Sequence, residues 1–200
     1  MTAKRIFGIL FFTVLGIYVL ANVSLMGFGE WLATGTFIAT WLLFKFVIHK
    51  DITGDLITGM IVGATVEYLT EAYWDYSMKV YIYKDISVFV IMGWGYSFTY
   101  FLYFSRILYK KLFNKNMVKL FDKRIILCDA LVGPLWFIAN EYVGMNIFHL
   151  WTYSSIAGWT HIIPVIHYPL EGVIGSIFFS ITFPTFVRYW QKEFDFDPHL

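Results

Sequence analysis

The sequence predicts an all-α, polytopic membrane bundle of about six transmembrane helices with a weak internal repeat. Three observations carry that expectation. The 200 residues are 58% hydrophobic and only 14% charged, a balance that excludes an ordinary soluble core. Several apolar stretches reach the length that crosses a hydrocarbon core, about 18 residues or more. Once those stretches are threaded through a bilayer, the basic residues collect on one side of it. The whole chain, 1–200, reads as one integral-membrane domain.

The first helix runs from Ile6 to Met26. It follows Lys4 and Arg5 as a signal peptide would, yet it is longer than a signal peptide's apolar region and lacks a small-residue cleavage site. The others are Trp31 to Ile48, Leu56 to Tyr73, Ile86 to Leu108, Ile125 to Met145 and Val165 to Val187, with kinks expected at Pro134 and Pro184. With the amino terminus in the cytoplasm, thirteen lysines and arginines fall inside and only Lys79 and Lys84 outside. That asymmetry requires an even number of spans and puts both termini in the cytoplasm. Between Tyr109 and Arg124, lysines alternate with Leu112, Phe113, Val118, Leu120 and Phe121. The pattern suits a short helix on anionic headgroups or a solvated connecting loop.

The segments on either side of that loop resemble each other, as repeat units 51–111 and 120–190. In the first, Glu67-Tyr68 precedes Trp74-Asp75-Tyr76, and the next helix holds Gly93-Trp94-Gly95-Tyr96. In the second, Glu141-Tyr142 precedes Trp151-Thr152-Tyr153, and the next helix holds Tyr168-Pro169-Leu170-Glu171-Gly172. The repeat suggests two related units facing a central space.

Glu67, Glu71, Glu141 and Glu171 all lie inside expected spans. A charged side chain near the bilayer centre costs about 3 kcal/mol even on lenient scales, so these four are the candidate catalytic residues. Helical rise puts Glu67, Glu141 and Glu171 about 6–10 Å below the outer surface, in one layer, with Glu71 one turn above Glu67. The arginines lie on the other side. Desolvation and mutual repulsion should therefore leave some of the four protonated at pH 7, able to deliver a proton. Each has a plainer reading as well: Glu71 reaching the interface, or Glu141 beside Asn140 bonding between helices. Asp129, near the inner end, reads as an ion-pair partner for the Arg124 region.

Aromatic residues surround the acidic layer, and Trp74, Tyr76, Trp94, Trp151, Tyr153 and Tyr168, with His167, are the candidate substrate-binding residues. Aromatic faces stabilise cations, more so without water, although Trp and Tyr also serve as interfacial anchors. An acid in a water-poor aromatic chamber is equipped to protonate a carbon–carbon double bond and guide the carbocation.

Metal chemistry has little support. His149, His161 and His167 are irregularly spaced, no His-Glu-x-x-His is present, and Cys128 stands alone, excluding an internal disulfide and a cysteine zinc site. Nothing calls for a cofactor: no glycine-rich phosphate loop or Ser/His/Asp arrangement is recognisable. The net charge of +1 carries no sign of nucleic-acid binding, so the expected partners are the lipid bilayer and an apolar substrate.

Trp151 and Tyr153, then Pro169 and Glu171, then Phe178-Phe179 form a pattern that resembles the lycopene cyclase domain of heterodimeric, archaeal and fungal carotenoid cyclases. In that family a Trp-x-Tyr element precedes a helix with a Pro-x-Glu-Glu core and paired phenylalanines. The resemblance covers about 40 residues. Gly172 replaces the second glutamate, and the first half has Met92-Gly93-Trp94-Gly95 where its own Pro-x-Glu-Glu would stand. The resemblance implies a cofactor-free, acid-initiated cyclisation of an isoprenoid end group, with Glu171 as proton donor or relay. Two other classes stay open: a small transporter or channel relaying a proton or cation through the same carboxyls, and a noncatalytic membrane partner. A transporter needs a polar route to the inner face, whereas an enzyme needs only a lateral opening.

Overall fold

The computed structural model describes residues 3–115, 117–154 and 158–193; the side chain of Lys4 and residue Ser155 fall outside them. The described residues form an all-α bundle of six long helices. They are α1 (Ala3–Asn22), α2 (Phe28–Leu43), α3 (Thr53–Thr70), α4 (Val88–Phe113), α5 (Lys123–Tyr142) and α6 (Leu170–Glu193). Five are long and apolar enough to cross a membrane. The exception, α3, carries Asp55 and Glu67 and is the most thoroughly enclosed, with 11 of its 18 residues buried. Its polar content is tolerated because protein rather than lipid surrounds it. The outside carries the apolar belt that a bilayer requires, including Leu10, Val14, Leu20, Leu135 and Ile174.

Local chemistry sets the helix ends. The Ser87 hydroxyl accepts from the Phe89 amide to start α4, and Asp122 accepts from the Arg124 amide to start α5. Asn114 closes α4 in the left-handed conformation after Lys110 and Lys111. Residues 114–115 and 117–122 are irregular, so the described part of the basic segment is a loop, with α4 extending into its first part. Helix α2 starts three residues before its expected first residue because Glu30 closes it: its carboxylate accepts from the Gly27 amide at 2.9 Å and also from the amides of Lys79 and Val80. Helices α5 and α6 run through Pro134 and Pro184 without interruption.

Of the three apolar clusters among the described residues, the two larger ones lie between the helices. One joins Phe37, Phe44, Leu56, Met60, Phe89 and Met92, with α1 packed on its outside through Phe11, Phe12 and Leu15. The other joins Val62, Val66, Phe98, Phe101, Phe137 and Val187 across α3 to α6. Helices α3 and α4 approach each other closely. A Cβ on Gly63 would lie 2.2 Å from the Trp94 side chain, and one on Gly95 would lie 3.1 Å from the Leu56 carbonyl oxygen. Small residues allow this approach, as they do between membrane helices generally.

Among the described residues four short strands lie between the helices, at the end of the bundle that the sequence analysis expects to be the outer one: β1 (Trp74–Tyr76), β2 (Trp151–Tyr153), β3 (Ile162–Ile163) and β4 (Tyr168–Pro169). β1 and β2 pair antiparallel, with Trp74 opposite Tyr153 and Tyr76 opposite Trp151. The two Trp-x-Tyr elements of the repeat therefore pair with each other, each tryptophan facing the other's tyrosine. β3 pairs with β4, which delays the start of the last helix to Leu170, five residues beyond the expected Val165. Pro169 is held extended in that strand, and Glu171 consequently lies in the first helical turn rather than six residues deep.

Candidate functional site

A cavity of about 370 Å³ opens below the strand pair, between α2, α3, α4, α5 and α6. Glu67, Glu141 and Glu171 line it together with Trp74, Tyr76, Trp94, Trp151 and Tyr168. These are three of the four expected acids and five of the seven expected binding residues. Trp159 and Tyr96 complete the aromatic wall, and among the described residues the lining contains no lysine, arginine or histidine.

Glu67, on the last turn of α3, is 1% exposed. Its Oε1 accepts from the Trp94 indole at 2.6 Å and from the Tyr76 hydroxyl at 3.0 Å, while its Oε2 is buried without a partner. Such an oxygen needs a water, a proton or a substrate group to satisfy it. Glu141, near the end of α5, accepts from the Trp151 indole at 2.7 Å. The Tyr76 and Trp151 rings lie 6.1 Å apart, so the two acids are joined through the strand pair. Glycines make room for both indoles: Gly63 lies beneath Trp94, and a Cβ on Gly144 would fall 2.1 Å from the Trp151 ring. Desolvation, with Glu67 and Glu141 beside it, pushes the Tyr76 hydroxyl well above the usual tyrosine range, which keeps it a hydrogen-bond donor. Burial, with Glu141 nearby, does the same to Tyr168.

Glu171 stands at the mouth. Its Oε1 accepts from the Thr160 hydroxyl at 2.8 Å and lies 3.3 Å from His161 Nδ1, while its Oε2 is buried and unpartnered. The indole nitrogen of Trp159 is also buried without a partner. Tyr168 stacks on Trp74, with 13° between the planes, and fills the space over Gly172. Gly175 lines the cavity and would meet nothing within 4 Å of an added Cβ. Phe178 also belongs both to the lining and to the lipid-facing surface. The cavity therefore has a side opening along α6.

Three expected residues lie elsewhere. Glu71 heads a 3-10 turn and pairs with Lys84 at 3.1 Å; the same bond raises the Lys84 ammonium above its ordinary value. The last turn of α3 tightens there, so the one-turn spacing from Glu67 no longer aims Glu71 inward. Tyr153 pairs with Trp74 at the far end of the strands, outside the lining. His167 is exposed, in the left-handed conformation with φ 48°, at the β3–β4 turn.

Asp129 is also partnered differently from expectation. It is fully buried and takes Arg188 of α6 in a two-pronged pair at 2.5 and 2.7 Å, with the Ser105 hydroxyl at 2.6 Å. Arg124 instead binds Asp122, whose carboxyl that bond holds well below the usual range. Nearby, Asp55 binds Lys50 at 2.7 Å and the Gln191 amide. Sequence reasoning passed over Glu30, Asp55 and Gln191 because each lies just beyond an expected helix end. It weighed His161 only as a cation or metal ligand, and nothing in local spacing ties Thr160 and His161 to Glu171. Among the described residues no group of three or more His, Cys, Asp or Glu side chains is placed to hold a metal ion.

Compared with known protein families, curated proteins and solved structures, the chain matches none of them.

Proposed function

We propose that this membrane protein is an isoprenoid cyclase or isomerase, protonating a carbon–carbon double bond with a carboxylic acid and stabilising the carbocation with aromatic faces. The observation that carries the reading is the cavity lining: three carboxyls, a wall of tryptophan and tyrosine and, among the described residues, no basic side chain. Such an interior favours a developing positive charge over any neutral or anionic guest. In this reading Glu171 is the donor. The carbocation sits against Trp74, Trp94 and Trp151, and the free Oε2 of Glu67 takes the proton lost from the neighbouring carbon. The side opening at Gly175 and Phe178 suits an apolar chain whose reacting end enters while the rest stays in the bilayer. The partial resemblance to the lycopene cyclase domain points the same way, and Trp151, Tyr153, Pro169 and Glu171 carry it.

The test is expression in a host that accumulates linear isoprenoids, followed by chromatography for cyclised or isomerised products. Wild type should convert, and Glu171→Gln, which keeps the shape but not the proton, should insert normally and lose turnover about 10²–10⁴-fold. Full conversion by Glu171→Gln removes Glu171 from the mechanism. The runner-up is a proton or cation transporter, favoured by the buried Asp129–Arg188 and Asp55–Gln191 pairs below the cavity. Wild type that converts no isoprenoid but dissipates an imposed proton gradient in proteoliposomes would support that runner-up. Failure in both assays leaves the noncatalytic partner role.

The thirteen-to-two distribution of basic residues supports six crossings with both termini in the cytoplasm. Reporters fused after Lys50 and at the carboxyl terminus should read cytoplasm, and an insertion near Lys79 should read outside. An external carboxyl terminus would sink this topology.

A further inference from the structure

Glu171 divides its carboxyl between two environments. Oε2 is buried in the cavity wall without a partner, while Oε1 meets Thr160 and His161. Thr160 Oγ1 lies 2.7 Å from His161 Nδ1 and 2.8 Å from Glu171 Oε1, so imidazole, hydroxyl and carboxyl form an unbroken chain. The His161 side chain is 72% exposed and that of Glu171 is 38% exposed. The backbone holds this chain in place: the Leu170 amide donates to the His161 carbonyl at 2.7 Å, and β3 pairs with β4 just after it. A hydrogen-bonded chain from solvent to a carboxyl whose other oxygen is unsatisfied inside a cavity is more than packing requires.

We infer that His161 and Thr160 form a port through which protons reach the cavity from solution, with Glu171 as its gate. The inference rests on the cyclase reading, in which Glu171 must be recharged after each turnover. The imidazolium Nδ1–H passes its proton to Thr160 Oγ1 while the hydroxyl proton passes to Glu171 Oε1. Imidazolium becomes neutral imidazole, and carboxylate becomes carboxylic acid. A half-turn of the carboxyl then presents the acidic proton to the cavity. The exposed ring regains a proton from water, and the proton received by Glu67 leaves to water when product departs, so the cycle is proton-neutral. The other titratable groups around the port are Tyr168 over Gly172, Tyr73 against Trp159, and Glu141 beyond Tyr168.

Two measurements on the full chain in lipid nanodiscs test the port. The first is an NMR measurement on ring-labelled histidine, with the His161 signal assigned by its loss in His161→Gln. Glu171→Gln should move the His161 ring-nitrogen signals, because the carboxylate that ends its hydrogen-bonded chain is gone. Unmoved signals overturn the port whether or not the chain cyclises anything. The second compares a first turnover with later ones on a linear isoprenoid. His161→Gln should keep the first and slow the later ones about tenfold, most at high pH, with recovery on adding free imidazole. Later turnovers as fast as wild type overturn the port. Moved signals in a chain that converts no isoprenoid retain the port and overturn the cyclase reading instead.

Discussion

At the inner end of the bundle, both oxygens of Asp129 are bonded by Arg188, with Ser105 on one of them, and both oxygens of Asp55 are bonded by Lys50 and Gln191. At the outer end, Glu67 is as deeply buried as those aspartates, yet one of its oxygens has no partner; Glu171, though partly exposed, likewise has one buried oxygen without a partner. The inner groups are closed by Lys50 on the segment before α3 and by Ser105, Arg188 and Gln191 on other helices, and they are buried. The outer groups are bonded on one side by indole, phenol and hydroxyl donors and open on the other into a cavity. Burial alone therefore does not mark a site. The pairing does: satisfied acids tie helices together, and half-satisfied acids await a ligand.

The largest expected effect comes from breaking an inner pair. Arg188→Met leaves Asp129 buried without its cation and should cost about 3–5 kcal/mol of stability, read by unfolding in mixed micelles. Adding Asp129→Leu should return most of that loss, because the cost lies in the orphaned charge rather than the missing contact. Glu67→Gln, at similar burial, should cost less than about 1 kcal/mol, since the amide oxygen still accepts from Trp94 and Tyr76. If Arg188→Met proves as mild as Glu67→Gln, the contrast between the two ends collapses.

A smaller effect would refine the outer end. Trp151→Phe keeps a ring over Gly144 and against Tyr76 but removes the donor to Glu141. It should cost about 1–3 kcal/mol of stability and reduce turnover by less than about tenfold, as the phenyl face still attracts cations. A loss of turnover as deep as that expected for Glu171→Gln would move the acid role from Glu171 toward Glu141.

Much of this was legible from residue order. Six helices were expected and six are present among the described residues, although α3 falls short of a spanning helix in apolarity, and the all-α class follows from composition. Glu67, Glu141 and Glu171 stood out because carboxyls are costly where lipid is expected. Glu71 was misplaced because helical periodicity was extended past Thr70, where the chain tightens into a 3-10 turn. Glu171 was placed too deep because Pro169 and its strand partner, not apolar content, decide where α6 begins. Asp129 was assigned the arginine nearest in sequence, whereas its partner arrives from 59 residues away on another helix.

The sequence by itself determined the bundle, the apolar belt, the outer aromatic layer and the acids that needed explaining, since these depend on composition and on one-dimensional spacing. Only the tertiary structure decided which polar atoms are satisfied. Hydrogen-bond partners such as Trp94 for Glu67, Arg188 for Asp129 and His161 for Glu171 come from distant elements. Whether an oxygen is left open to a cavity is therefore a property of how helices pack rather than of any segment alone.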